Sequence, residues 1–548
     1  MVPAGQSVVG RAASEHGRTE VKKRRHGQRG RLLTGACLGI GLVLAITACA
    51  QAPDSSFTPA EPQGFDPDLA EFYTQELQWE SCDEYANDAD TRQRLNRFGF
   101  TCAYLAVPLS YEDPTGDVAN IAVTRTSASG NKIGSLVMNP GGPGAGGISA
   151  AANVAAALPG TQLGERFDFV SFDPRGIGAS TPAIACLSGP DQDSYRQALR
   201  IDMSPEGIAE TEADTRRYVE ACERNTGLDV LSNVGTRDVA RDLDVLRAAL
   251  GDEQLTFLGY SYGTFLGAVY AEQFPDKVRA MVLDGAVDPA EDLVETLVRQ
   301  GEGFQRAFDA FVDDCLEQPQ CPLGSDVDNA VKEFRVIMES LIDDPAFTSD
   351  PRNLTYSDGM AGVYQALYSP QLWTLLRTGL TEVTDGLGDT LLFLADTYEG
   401  RRDDGTYRNT IPAFHAVSCV DSPPETDRAR RGEADMRYRE VAPFADGGQG
   451  TGEAPLDFCA FWPVLNTSEP RDLDIDDALA PTLVVSTTGD PATPYEAGLE
   501  LARQLGGSLL TYEGNQHTVV LGVDECVDQH VERYLIDLQL PESDPRCG

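Results

Sequence analysis

Two patterns of apolar residues divide the chain. From about Cys102 to Asp288, and again from Pro481, short apolar runs of strand length alternate with amphipathic stretches. "IAVTRT", "GSLVMN", "FDFVSFD", "LTFLGY", "RAMVLDG", "PTLVVSTTGD" and "SLLTYEG" carry the β-branched and aromatic content of buried strands. Between them, "VGTRDVARDLDVLRAALG" sets Val239, Leu243, Leu246 and Leu250 along one helical face, with Thr236 or Asp238 near its start. Alternation of this kind predicts an α/β fold, a mostly parallel sheet with helices on both faces. Between 290 and 478 the strand pattern stops. "QRAFDAFVDDCLE", "AVKEFRVIMESLID" and "MAGVYQALY" repeat with a helical period, broken by prolines. That stretch is predicted to be a large, mainly helical cap inserted between two parts of the core, 95–289 and 479–548; an independent domain is the alternative.

The N-terminus follows a different rule. The first 48 residues hold eight basic side chains against Glu15 and Glu20, and end in the apolar run "LLTGACLGIGLVLAITAC". This predicts a signal peptide over 1–48. Ile46-Thr47-Ala48-Cys49 resembles a bacterial lipobox, which makes Cys49 the expected lipidation site and places the protein on the outer face of the cytoplasmic membrane. An ordinary secretory signal is the other reading. Residues 49–94 are then the lipidated cysteine, a Pro- and Ser-rich tether and an N-terminal segment. No other apolar run is long enough to span a bilayer, so contact with the membrane is expected only through the anchor.

Composition narrows the choice of partners. With 43 Lys and Arg against 86 Asp and Glu, the formal charge is −43, which disfavours nucleic acid and anionic surfaces. Export changes how cysteine reads. Past Cys49 ten cysteines remain, an even number, and oxidising surroundings favour disulfides over zinc. Pairing of chain neighbours is expected: Cys82–Cys102, Cys186–Cys222, Cys315–Cys321, Cys419–Cys459 and Cys526–Cys547. Neither a metal nor an organic cofactor is expected.

Candidate chemistry centres on "LGYSYGT", where Ser261 stands between Gly259 and Gly263 with a strand before it and a helix after it. A strand-to-helix turn of this spacing exposes the hydroxyl and points the helix N-terminus at developing negative charge. A serine hydroxyl needs a base, and the base needs an acid to orient it. Five histidines exist, of which His16 and His26 fall in the leader. His517, in "YEGNQHTVV" after the last long strand, is the expected base. Asp490, in "STTGDPATP" after the strand before it, is the expected acid. His415 lies within the insertion and His530 in the final helix, both as packing or surface residues. The oxyanion is expected to meet the backbone N–H groups of Tyr262 and, from the loop "NPGGPGAGG", of Gly142. In "FDPRGIGAST", Arg175 reads as a buried brace or, alternatively, as a carboxylate anchor.

Together "NPGGPG", "DPRGIGAS", "GYSYGT", "GDPATP" and "GNQHT" resemble the α/β-hydrolase serine exopeptidases of actinobacteria. These are the tripeptidyl aminopeptidases, with mycobacterial cell-envelope serine hydrolases as similar proteins and proline iminopeptidases as more distant ones. Proline iminopeptidases usually carry His-Gly-Gly-Pro-Gly, whereas this chain has Asn139-Pro140 before its glycines. The resemblance implies peptide substrates, cleaved a few residues from a free N-terminus. Such an enzyme needs a carboxylate for the α-ammonium, and Asp421, beside Cys419 in the insertion, is the candidate. An esterase or lipase on the same scaffold is the first alternative; a lipoprotein that only binds peptides is the second.

Overall fold

A computed structural model describes residues 67–548. The leader, Cys49 and the tether lie outside the described residues. Nine strands form one sheet: β1 (Thr101–Pro108), β2 (Val118–Thr126), β3 (Gly134–Asn139), β4 (Phe167–Phe172), β5 (Leu255–Tyr260), β6 (Val278–Asp284), β7 (Leu483–Thr487), β8 (Ser508–Tyr512) and β9 (Arg546–Cys547). Their order is β1-β2-β4-β3-β5-β6-β7-β8-β9. β2 runs antiparallel to both of its neighbours, and every pairing from β4 to β9 is parallel. Every residue of β4, β5 and β7 is buried, as a sheet covered on both faces requires.

The side chains divide between the two faces by alternation. Leu136, Met138, Leu258, Val282, Val485 and Leu510 pack with Ile148, Ala151, Val527 and Val531 from the helices Gly147–Val154 and Glu525–Asp537. Phe257, Met281 and Leu283 point the other way, under the helix Tyr262–Gln273; a Cβ on Gly267 would lie 2.7–3.2 Å from their side chains. The helix Thr236–Ala249 lies beside it, burying Val239, Leu243 and Leu246.

Two strands lie outside the sequence reading. They are β1, a mostly apolar strand, and β9, which is two residues long and is tied to the last helix by the Cys526–Cys547 bond. The N-terminal segment 67–94 packs on the core, because Cys82, Tyr85 and the nearby Leu95 join the sheet's core and Cys82 bonds Cys102 of β1. The remaining disulfides, Cys186–Cys222, Cys315–Cys321 and Cys419–Cys459, likewise join neighbours in chain order.

Between β6 and β7 the chain forms seven helices, from Leu293–Leu316 to Arg428–Val441. They enclose a second apolar core around Phe304, Phe308, Phe311, Phe334 and Phe444, and Phe308 stacks on Phe444 at 5.0 Å. Ala492, in the loop after β7, packs into that same cluster. The stretch between β4 and β5, assigned to the core from its place in the sequence, also packs on the insertion. Arg196 pairs with Asp358 and Asp396, both at 2.7 Å, and Tyr218 lies edge-on to His415 and Phe458. Arg175 is the buried brace. It pairs with Asp242 at 2.6 Å and donates to the carbonyls of Pro108, Leu109 and Asn233.

Candidate active site

Ser261 sits on the turn between β5 and the helix Tyr262–Gln273 with φ 53° and ψ −124°, a left-handed conformation that a side chain adopts only under constraint. Its N–H donates to the Asp284 carbonyl at 2.9 Å, which fixes the turn against the end of β6. The two flanking glycines are steric necessities. A Cβ on Gly259 would stand 2.3 Å from the Gly263 carbonyl oxygen, and one on Gly263 would stand 2.7 Å from that of Asn139. Asn139 ends β3 and its Oδ1 accepts the Gly141 N–H at 3.0 Å, so this contact reaches the loop after β3. Gly263→Ala should therefore lose about 1–3 kcal/mol of stability. It should also lower kcat/KM more than tenfold, a result that a denaturant melt and one kinetic run can check.

The loops after β7 and β8 bring Asp490 and His517 together. Nδ1 of His517 lies 2.9 Å from each Asp490 carboxylate oxygen, and Asp490 Oδ1 also accepts the N–H groups of Ala492 and Thr493 at 2.9 Å. Asp490 is wholly buried. Held this way, the imidazole carries its proton on Nδ1 and presents the Nε2 lone pair. Nε2 has no hydrogen-bond partner among the described residues. Burial pushes the imidazole pKa down, but the charge and hydrogen bond of Asp490, with Asp284 behind, outweigh it and leave the value above the ordinary one. The insertion covers His517: the Tyr368 ring stands edge-on to it at 5.5 Å, and the main-chain N–H of His517 donates to the Tyr368 carbonyl at 3.0 Å.

A cavity opens over Ser261, floored by Tyr262, Gly142 and Pro143 and walled by Phe265, Leu293 and Phe414. Gly142 and Ser261 line this cavity together, and Gly141 packs against Ser261; a Cβ on Gly141 would come within 2.9 Å of the Ser261 Cβ. Four carboxylates line the cavity, those of Asp288, Glu291, Asp421 and Glu469, and no Lys or Arg does so among the described residues. Asp421 is buried at the end of the helix Thr410–Asp421. It accepts the Thr236 N–H at 2.8 Å and the Thr236 hydroxyl at 2.5 Å, and that hydroxyl also contacts the Tyr262 phenol. Burial raises the Asp421 pKa to about 7 against the pull of these hydrogen bonds. Glu291 is raised to about 7 by burial, opposed by Arg299 at 2.5 Å.

The other candidates lie apart from this site. His415 stacks on Phe458 at 3.7 Å, and burial pushes its pKa down to about 3. His530 lies beside Cys526 and Cys547, the group with metal-ligand spacing among the described residues, but both sulfurs are spent in their disulfide. Two site residues escape the sequence reading. Thr493 places its hydroxyl 3.3 Å from His517 Nδ1, and Asp284 reaches the His517 loop. The available signals were a threonine three places after Asp490 and a charged residue closing an apolar strand.

A family model described as an alpha/beta hydrolase fold matches residues 134–522. The chain is 51% identical over 456 residues to a Mycobacterium tuberculosis protein named serine protease Hip1, covering 82% of this chain and 87% of that one. It is 45% identical over 523 residues to a protein of the same organism named carboxylesterase B, covering 95% and 99%. To the tripeptidyl aminopeptidase of Streptomyces lividans it is 30% identical over 488 residues, with 86% of each chain covered. The sheet, its nucleophile turn and these relatives lead to one conclusion: the chain belongs to the α/β-hydrolase family and is a serine peptidase.

Proposed function

We propose that this peptidase is an exopeptidase that releases tripeptides, or fragments of similar length, from substrates with a free N-terminus. Ser261 Oγ attacks the scissile carbonyl as His517 Nε2 takes its proton, with Asp490 holding Nδ1. The Tyr262 and Gly142 N–H groups receive the oxyanion, and His517 then returns the proton to the leaving amine. Water cleaves the Ser261 ester by the same route in reverse.

The observation that carries the specificity is the cavity's charge, with four carboxylates and no basic side chain among the described lining residues. A site for an α-ammonium needs negative charge set back from the nucleophile. Asp421 is our candidate for that role, and an arriving ammonium favours its charged form. The name of the Streptomyces relative supports this reading, and the name carboxylesterase B supports ester cleavage as the second.

The two separate on one pair of substrates. A chromogenic tripeptide amide with a free N-terminus should be cleaved to the intact tripeptide, and N-acetylation should lower kcat/KM by roughly 100-fold or more. Equal cleavage of both forms, or hydrolysis of simple esters alone, would reject the exopeptidase reading. We place the enzyme outside the cytoplasmic membrane, anchored at Cys49. Support comes from the lipobox and from five disulfides, which persist in oxidising compartments.

A further inference from the structure

Asp284 ends β6, in register with Tyr260 of β5 immediately before the nucleophile. Its carbonyl accepts the Ser261 N–H at 2.9 Å, and its side chain reaches the opposite partner of the reaction. Oδ2 accepts the N–H groups of Val519 and Val520 at 2.7 and 2.8 Å, just past His517 and the left-handed Thr518. The next residue, Gly285, lies so close to the base that a Cβ there would stand 3.2 Å from His517 Cε1.

The carboxylate is wholly buried, and its Oδ1 has no hydrogen-bond partner among the described residues. No Lys or Arg pairs with it among the described residues. A buried carboxylate with one bare oxygen and no cation is unfavourable unless something compensates for it. One compensating cation belongs to the site and exists only during turnover.

We propose that Asp284 is a positioning residue for the reaction: it ties the His517 loop to the Ser261 turn, and its carboxylate supports the imidazolium formed when His517 takes the serine proton. As the bond from Ser261 Oγ to the substrate carbon forms, the Oγ–H bond breaks and the proton arrives on Nε2. The ring is neutral before this step and carries +1 after it, with Asp490 at Nδ1 and the Asp284 carboxylate held on the loop just past the ring. Support that grows with that charge lowers the barrier and leaves substrate binding untouched.

The surrounding groups are consistent with this role. His517 faces Asp490, Asp284, the Thr493 hydroxyl and the Tyr368 ring. Asp284 faces His517, Asp490 and Tyr260, whose phenol donates to the Val520 carbonyl. Asp528, one step further, accepts the Leu521 and Gly522 N–H groups. Burial raises the Asp284 pKa to about 7, with the two N–H donors and His517 acting against it.

Asp284→Asn in the full chain is the test, since the amide keeps an oxygen for Val519 and Val520 while removing the charge. With any chromogenic substrate, peptide or ester, kcat should fall about 10- to 100-fold and KM should stay within about twofold. The acid limb of kcat/KM should move down by roughly half to one pH unit. Because an ester serves as well as a peptide, the outcome is independent of the exopeptidase reading. An acid limb at the wild-type position, or a change confined to KM, would overturn the proposal.

A second measurement does not rely on that variant folding. In Asp490→Asn, Asp284 is the remaining carboxylate facing the ring, and the His517 imidazole can be followed by NMR. Burial lowers this imidazole and Asp284 raises it, so titration at or above the ordinary histidine value supports Asp284. Titration well below that value overturns the proposal.

Discussion

Replacing Ser261 with alanine should lower kcat/KM by about 10⁴- to 10⁶-fold while leaving the folded yield and the denaturant midpoint unchanged. The elbow is held by main-chain contacts, the Ser261 N–H to the Asp284 carbonyl at 2.9 Å and the Thr264 N–H to the Ser261 carbonyl at 2.8 Å, and alanine retains both. What it loses is the hydroxyl facing the cavity. Residual turnover within tenfold of wild type would place the nucleophile elsewhere. A serine-directed phosphonate should label the wild-type chain and fail to label this variant, which separates loss of the nucleophile from loss of substrate binding.

Asp490→Asn should cost about 10⁴-fold in kcat. An asparagine fits the same space, but its amide can donate to His517 Nδ1. That donation stabilises the tautomer with its proton on Nε2, which cannot accept another from serine. The pH profile gives a second readout. The imidazole must be neutral to act, and its pKa lies above the ordinary histidine value, burial being outweighed by Asp490 and Asp284. Wild-type activity is therefore full above that raised pKa and falls as pH drops through it. In Asp490→Asn burial is less opposed, so the acid limb should shift to lower pH and the residual activity should persist further into acid. An unshifted limb would mean that another group governs it.

The turn that carries Ser261 and the pairing of Asp490 with His517 were legible because local rules restrict them. A polar residue between two glycines, after an apolar run and before a helical one, leaves few structural options; Gly259 and Gly263 stand where no Cβ fits. Past the leader the chain has only three histidines, and strand order separates them. Asp284 could not be found this way. An aspartate closing an apolar strand commonly turns outward to solvent, and nothing near it in sequence shows that its partners are Val519 and Val520. The acidity of the cavity was equally hidden, since Asp288, Glu291, Asp421 and Glu469 are spread along the insertion and its borders among many other carboxylates.

By itself the sequence determined the α/β alternation, the large helical insertion and the strand-to-helix turn at Ser261, because apolar periodicity and turn chemistry act over a few residues. Tertiary structure alone decided which surfaces meet. It docked the segment 67–94 into the core through Cys82 and Tyr85, and set the Arg196 stretch against the insertion. It laid Tyr368 against His517 and brought Asp284 between the Ser261 turn and the His517 loop. These contacts join positions up to hundreds of residues apart. They follow from how sheet, helices and insertion pack as solids, which no short window of sequence encodes.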